Sequence, residues 1–185
     1  MGSPRRPRRV AITGGIGAGK SEALRAFARH GAATISSDEI VHDLIEHDEE
    51  VRTALIDRFG TTDRARIGGI VFADRAELDW LERLLHPRVA ERQESWYARQ
   101  DAPLAVAEIP LLYETGGDER FDAVIVVTAP RELREARARV SLAGRSDRLI
   151  PDEEKVRRAD FSYVNDGSLE ELDAWVAGVV AELTA

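Results

Sequence analysis

The stretch Val10-Ala-Ile-Thr-Gly-Gly-Ile-Gly-Ala-Gly-Lys-Ser21 decides the fold of this chain. Its first four residues predict a buried strand, and a Gly-x4-Gly-Lys-Ser motif then leads into a helical pattern over Lys20–His30. The glycines allow backbone amides to close around phosphate oxygens, and the helix N-terminus that follows favours anions. Lys20 then reaches the β- and γ-phosphates, and the Ser21 hydroxyl binds Mg²⁺. The motif predicts a nucleoside triphosphate site; a glycine-rich turn with an incidental lysine is the alternative.

Composition describes an ordinary globular chain. The 185 residues suffice for one α/β domain with a core, and 43% of them are hydrophobic and 32% charged. A net charge of −8 argues against a nucleic-acid-binding protein, which needs a sustained basic surface. The chain has no cysteine, no apolar segment long enough to span a membrane, and no secretory signal. We expect a cytoplasmic enzyme that binds neither nucleic acid nor membrane.

A basic cluster precedes the motif. It has no apolar residue to bury, and its prolines oppose a helix, so we expect a disordered basic leader over residues 1–9. A nucleic-acid-binding or targeting arm is the alternative. The cluster consists of Pro4, Arg5, Arg6, Pro7, Arg8 and Arg9.

Short β-branched runs alternate with amphipathic stretches, an order that predicts an α/β fold with a doubly wound, five-stranded parallel sheet. The runs are almost continuously apolar, which is typical of strands covered on both faces: Val10–Thr13, Ala33–Ser36, Leu104–Ile109, Ala123–Thr128 and Phe161–Asn165. The predicted helices are Lys20–His30, Glu39–His47, Glu49–Phe59, Arg75–Leu85, Arg88–Arg99, Arg131–Val140 and Leu169–Leu183. The interval from about 39 to 102 is almost entirely helical, and we interpret it as an insertion within a single domain over 10–185.

Asp38 follows the second predicted strand at the edge of the sheet where open α/β folds place their sites. In a phosphoryl transferase, a carboxylate there orients the acceptor hydroxyl and accepts its proton late. The alternative is a helix N-cap, with Ser37 or Asp38 opening the helix over Glu39–His47. Glu108 ends the third strand, where it either binds a Mg²⁺-bound water or is a solvated acid.

Together with the phosphate loop, six later stretches resemble the dephospho-CoA kinase family in the same order along the chain. They are Ile35-Ser-Ser-Asp38-Glu-Ile-Val41, Gly69-Ile-Val-Phe72, Leu84-Leu-His-Pro-Arg-Val89, Glu108-Ile-Pro-Leu-Leu-Tyr-Glu114, Glu154-Lys-Val-Arg-Arg-Ala-Asp160 and Val164-Asn-Asp-Gly-Ser168. Members are P-loop kinases that use ATP to phosphorylate the ribose 3′-hydroxyl of dephospho-CoA, the last step of coenzyme A synthesis. The resemblance implies a three-layer P-loop kinase fold with a helical substrate subdomain and a short lid over about 137–151.

The resemblance also implies roles for individual residues. Lys20, Asp38 and Arg145 would be catalytic, and Arg145 falls on the family's lid arginine, whose rigid fork pairs two phosphate oxygens. Ser21 would bind Mg²⁺, with Glu108 acting through a water. ATP would contact Gly15, Gly17, Ala18, Gly19, Lys20, Ser21, Glu22, Arg148 and Asn165, and dephospho-CoA would contact Asp38, His86, Pro87, Pro110 and Leu111.

Some of these residues also have a purely structural explanation. The lid arginines fit a solvated charged helix, and His86 fits a helix end before Pro87. The chain departs from the family pattern at Ser36, which replaces the first acid of an Asp-x-Asp, at Glu22, and in a shorter lid with Leu149 in place of Gln. Another small-molecule P-loop kinase, for a nucleotide or a sugar acid, or a catalytically impaired nucleotide- or CoA-binding relative, is therefore an alternative. We expect a monomer or a weak homo-oligomer.

Overall fold

The computed structural model describes residues 6–138 and 149–185. These residues form two compact units. The first contains residues up to Ser36 and those from Tyr97 onward, and the second contains Ser37–Trp96. The first unit carries the sheet and the phosphate loop, and the second is helical.

The first unit is built on a five-stranded sheet in which every neighbouring pair is parallel. The strand order is β2-β3-β1-β4-β5, so the strand before the phosphate loop is central. Ile12 of β1 and Ser36 of β2 are both in register with Glu108 of β3, which brings the carboxyl ends of these strands to one edge. The predicted α/β parallel sheet is confirmed. The strands are β1 (Arg8–Thr13), β2 (Ala33–Ser36), β3 (Leu104–Glu108), β4 (Ala123–Thr128) and β5 (Phe161–Val164).

Both faces of the sheet are covered, which explains why its strands are continuously apolar. On one face Val10 and Ile12 are fully buried in a cluster with Phe27 of α1 (Lys20–Arg29) and Leu172 of α8 (Leu169–Thr184). On the other face Ala11 packs with residues that follow β3 and with alternate residues of β4. The remaining helices are α2 (Ser37–His47), α3 (Glu49–Phe59), α4 (Arg64–Ala73), α5 (Arg75–Tyr97), α6 (Arg131–Ala138) and α7 (Asp152–Arg158).

The structure has one continuous helix where the sequence predicted two. The sequence predicted a break at Pro87 between Arg75–Leu85 and Arg88–Arg99, but α5 continues through the proline as far as Tyr97. A proline in a helix removes one backbone donor and disturbs the carbonyls of the preceding turn. The acceptor without its backbone donor is the carbonyl of Arg83, and the next carbonyl, that of Leu84, accepts from the guanidinium of Arg88 at 3.0 Å.

The helix α4 was not predicted, because Gly68 and Gly69 weaken the helical pattern in its middle. Asp63 caps its N-terminus by accepting a hydrogen bond from the backbone of Arg66 at 2.8 Å. The N-cap at Asp63 therefore favours a helix that the two glycines make hard to predict from the sequence.

The predicted disordered leader is wrong for residues 6–9. The first strand begins at Arg8, two residues earlier than predicted. Asp122 holds this segment, since its carboxylate accepts from the Arg6 guanidinium at 2.9 Å and from the Arg9 backbone at 2.8 Å. The Arg9 guanidinium also lies 4.4 Å from the centre of the Tyr97 ring. Composition alone missed these contacts because their partners are more than 80 residues away in the sequence.

Candidate functional site

The loop from Gly14 to Ser21 joins β1 to α1, as predicted. Gly14, Gly17 and Gly19 have positive φ angles of 143°, 73° and 100°, a region that side chains with a Cβ rarely adopt. A Cβ on Gly14 would also lie 2.0 Å from the carbonyl oxygen of Val127 in β4. The loop is therefore seated so closely on the sheet that glycine is required for steric as well as conformational reasons.

We expect Gly14→Ala to destabilise the protein much more than Gly31→Ala. Both glycines have positive φ, so each alanine carries a conformational cost of about 1–2 kcal/mol. A Cβ on Gly31 meets no atom of the described residues within 4 Å, whereas overpacking against Val127 adds about 1–3 kcal/mol to the cost of Gly14→Ala. Urea unfolding of both variants measures the difference, and equal losses of stability would contradict the seating of the loop on β4.

Lys20 is the first residue of α1 and is 9% exposed. Its ammonium donates to the carbonyl oxygen of Gly15 at 3.1 Å, so the side chain folds back over the loop that precedes it. An ammonium ion costs free energy to bury unless hydrogen bonds compensate it. This arrangement holds a positive charge within the loop, next to the N-terminus of α1, where an anion is favoured.

Ser21 and Glu108 come together at the carboxyl edge of the sheet. The Ser21 hydroxyl lies 3.2 and 3.1 Å from the two carboxylate oxygens of Glu108 and donates to them. Glu108 is only 4% exposed, so the alternative of a solvated strand-end acid is wrong. The structure thus places one hydroxyl and one buried carboxylate beside the phosphate loop, and these are oxygen donors of the kind that Mg²⁺ prefers.

Asn165 supports the loop from the end of β5. It is 5% exposed, its backbone donates to Thr128 at 2.7 Å, and its side-chain amide donates to the carbonyl oxygen of Ala18 at 2.9 Å. A Cβ on Gly19 would lie 2.0 Å from that amide nitrogen. Arg137 of α6 donates to the Asn165 carbonyl at 3.0 Å. Asn165, predicted to contact ATP, therefore contacts the phosphate loop itself.

The run from Pro110 to Glu114 follows β3 closely. The Thr13 hydroxyl donates to the carbonyl oxygen of Pro110 at 3.2 Å, while Leu111 is half-buried beside it in the chain. Tyr113 is buried, and the loss of hydration raises the pKa of its phenol to about 12. Leu112 and Tyr113 belong to the apolar cluster on one face of the sheet, which indicates that the run packs against the sheet rather than reacts.

Lys155 forms a buried ion pair that was not predicted from the sequence. Its ammonium pairs with Glu114 at 2.7 Å, and its side chain is 1% exposed. The Ile150 backbone donates to the same carboxylate at 3.1 Å, so Glu114 connects residues 150–155 to the segment that follows β3. A signal was available: only two of the 26 basic residues are lysines, Lys20 and Lys155, and both are buried.

Glu22 lies in the first turn of α1, and its predicted contact with ATP stays a prediction. Its carboxylate pairs along α1 with Arg25 at 2.5 Å and with Arg29 at 3.4 Å. These residues are three and seven positions later, on the same face of the helix. Two arginines of α1 therefore balance the charge of the Glu22 carboxylate.

The helical unit holds the other predicted residues. Asp38 is exposed, and α2 begins at Ser37, so Asp38 lies inside the first helical turn rather than ahead of it as a cap. The Ser37 hydroxyl instead accepts from Gln93 of α5 at 2.9 Å, and both side chains are buried. This hydrogen bond joins α2 to α5 at the residue that immediately precedes Asp38.

His86 is exposed on α5, and the next residue lines a groove of about 630 Å³ in the same unit. Acidic side chains outnumber basic ones along this groove. Its lining is His47, Asp48, Glu49, Glu50, Pro87, Arg88, Glu91 and Arg92.

Arg145 and Arg148 lie outside the described residues, so their predicted contacts with ATP stay predictions. Among residues 6–138 and 149–185, His, Cys, Asp and Glu form no group of three that would enclose a metal ion. Within the same residues, no helix is both long and apolar enough to cross a membrane.

Comparison with known proteins relates this geometry to one family. The model of the family described as "Dephospho-CoA kinase" matches residues 8–171. The dephospho-CoA kinase of Deinococcus radiodurans is 38% identical, with 98% of this chain and 95% of the relative aligned. The crystal structure of TT1252 from Thermus thermophilus has a TM-score of 0.80 at 34% identity, covering 98% of this chain and all of that one. Dephospho-CoA kinase from Campylobacter jejuni has a TM-score of 0.67 at 27% identity, covering 97% and 98%.

Proposed function

We propose, because the chain belongs to the dephospho-CoA kinase family, that the phosphate loop, Lys20, Ser21 and Glu108 form the centre of its ATP-dependent kinase reaction. The chain phosphorylates dephospho-CoA at the expense of ATP. The observation that carries the assignment is the pairing of Ser21 with buried Glu108 beside a loop that contains the Lys20 ammonium. These groups supply positive charge for phosphate and oxygen ligands for a cation.

Lys20 and the loop amides bind the triphosphate. Transfer of the γ-phosphoryl group passes through a loose transition state, so catalysis depends on position and on stabilisation of charge at the phosphate oxygens. An oxygen–phosphorus bond forms with the acceptor hydroxyl as the bond to the β-phosphate oxygen breaks. The buried ammonium of Lys20 is held at the loop before ATP arrives, which limits the rearrangement required.

The donor set fits Mg²⁺. This ion usually keeps several waters and takes one or two protein oxygens together with substrate phosphates, so it needs no protein cage. Ser21 would bind it directly, and Glu108 would hold a water in its coordination shell. Bound Mg²⁺ would neutralise charge on the β- and γ-phosphates. The hydrogen bond between Ser21 and Glu108 keeps both groups at the same place.

We expect Glu108→Gln to raise the Mg²⁺ concentration needed for half-maximal activity about 10- to 100-fold. Glutamine keeps the shape but loses the charge that orients Ser21 and a metal-bound water. The measurement is the initial rate of ADP release with dephospho-CoA against Mg²⁺, at fixed ATP. Glu182→Gln, an exposed change on α8, is the control. An unchanged Mg²⁺ requirement in folded Glu108→Gln would exclude Glu108 from the metal's surroundings.

Asp38 is proposed to bind the ribose 3′-hydroxyl of dephospho-CoA. It is exposed in the first turn of α2, two residues after Ser36 at the carboxyl end of β2. A carboxylate in this position orients the hydroxyl and accepts its proton late in the transfer. His86 and Pro87, with Pro110 and Leu111, are proposed to contact the rest of the acceptor.

The remaining assignments extend the same proposal. Arg145, with Arg148 as the second candidate, is proposed to bind the transferring phosphate, because a guanidinium pairs two phosphate oxygens and stays charged. Cytoplasmic location and the absence of nucleic-acid binding stay predictions from composition, and a monomeric or weakly associated state stays an expectation.

A further inference from the structure

We propose that Arg134 is a positioning residue for the phosphate loop, which it holds through the carbonyl group of Ile16 while Asp152 holds Arg134. The inference rests on the proposed assignment of the loop as the ATP site. Arg134 is not part of any motif discussed above. It lies in the middle of α6, and its side chain is 16% exposed.

Arg134 makes two hydrogen bonds, one to the phosphate loop and one to α7, and so forms a bridge between them. The Nε of Arg134 donates to the Ile16 carbonyl oxygen at 2.9 Å, and its Nη1 donates to the carboxylate of Asp152 at 2.7 Å. Asp152 is the first residue of α7, and its side chain is 27% exposed. One guanidinium thus joins the phosphate loop to the start of α7, using donors on two sides of its planar group.

The glycines of the loop leave room for this arginine. A Cβ on Gly15 would lie 2.1 Å from Nη2 of Arg134, and a Cβ on Gly17 would lie 2.3 Å from its backbone oxygen. Arg134 therefore packs directly against loop backbone that carries no side chains. Gly15, whose φ is not positive, thus leaves space that the Arg134 guanidinium occupies.

The bond to Ile16 has a consequence for the next peptide group. In a planar trans peptide the carbonyl of Ile16 and the N–H of Gly17 point in opposite directions. Because the Ile16 carbonyl points toward the Arg134 guanidinium, the Gly17 N–H points away from that guanidinium, and the proposal is that this N–H donates to a phosphate oxygen. The loop binds phosphate through such amides, so fixing one of them in advance favours ATP binding.

The test separates binding of ATP from general damage. We expect Arg134→Gln to weaken ATP binding about tenfold, the effect of losing one charge-assisted hydrogen bond. Calorimetric titration with Mg·ATP measures this without turnover. Steady-state rates should show a matching rise in the KM for ATP, with kcat at saturating ATP and the KM for dephospho-CoA within about twofold of the unmodified protein. Arg134→Lys retains the charge but lacks the planar guanidinium with separate Nε and Nη donors, so its affinity for ATP should lie between those of Arg134→Gln and the unmodified protein.

Three further variants test the bridge more closely. Arg131→Gln removes an exposed arginine three residues earlier on α6, where it pairs with Glu135, and should bind ATP normally. Asp152→Asn should weaken ATP binding less than Arg134→Gln, and the double variant should be no weaker than Arg134→Gln alone, because both act through one bridge.

The outcomes distinguish this inference from the proposed function. If Lys20→Ala abolishes ATP binding while folded Arg134→Gln binds ATP as tightly as the unmodified protein, the ATP site stands and the role of Arg134 is wrong. A loss of thermal stability with an unchanged KM for ATP would also overturn it. If Lys20→Ala leaves ATP binding intact, the proposed site itself is wrong.

Discussion

Lys20→Ala is expected to lower kcat about 100- to 1000-fold, the range seen when one preorganised donor to transition-state charge is removed. The ammonium lies inside the phosphate loop, 3.1 Å from the Gly15 carbonyl, and α1 offers no second lysine to replace it. The measurement is release of ADP at saturating ATP and dephospho-CoA. We expect no activity to be recovered at high Mg²⁺, because a diffusible cation cannot reproduce a fixed ammonium.

The control for this variant lies on the same helix. Arg25→Ala removes an exposed cation that pairs with Glu22, and it should leave kcat within about twofold of the unmodified protein. Circular dichroism and thermal unfolding establish that both variants fold. A folded Lys20→Ala protein with more than a tenth of the original kcat would contradict the assignment of Lys20 to the transferring phosphate.

Asp38→Asn is the second large expected effect, a loss in kcat of about 100-fold, at the low end of the range for general acid–base groups. Asparagine retains an oxygen that can accept a hydrogen bond from the acceptor hydroxyl, but it cannot take the proton. Because the transition state is loose, orientation matters more than basicity, and this limits the loss. ATP binding measured by calorimetry should be unchanged, which distinguishes this variant from Lys20→Ala.

Stability provides a check on the same variant. Asp38 is exposed in the first turn of α2, where a carboxylate favours the helix by about 0.3–1 kcal/mol. Asp38→Asn should therefore lower the free energy of unfolding by less than about 1 kcal/mol. The neighbouring Glu39→Gln, also exposed, should show a similar small change in stability with normal kcat. If both variants lose activity equally, the effect belongs to the helix rather than to Asp38.

Sequence reasoning succeeded where structure is local. The spacing of Ser168 and Glu171 predicts a capping box, which is present at the start of α8, and Gly31, a typical residue after a helix, follows α1 with a φ of 85°. Such features depend on residues a few positions apart, so spacing determines them. The sequence predictions failed at Pro87, through which α5 continues without a break, and at residues 6–9, where Asp122 provides a distant partner.

By itself, the sequence determined the strand–loop–helix unit at Val10–Arg29, the parallel sheet, and the order of motifs typical of the family. Glycine spacing and apolar runs act within short segments, so their consequences can be read directly. Only the tertiary structure decided which distant residues meet that loop. Ser21 meets Glu108 across 87 positions, Arg134 meets Ile16 across 118, and Asn165 meets Ala18 across 147. These contacts depend on the strand order β2-β3-β1-β4-β5, which places β1 between β3 and β4 and is set by packing of the whole sheet rather than by any one segment.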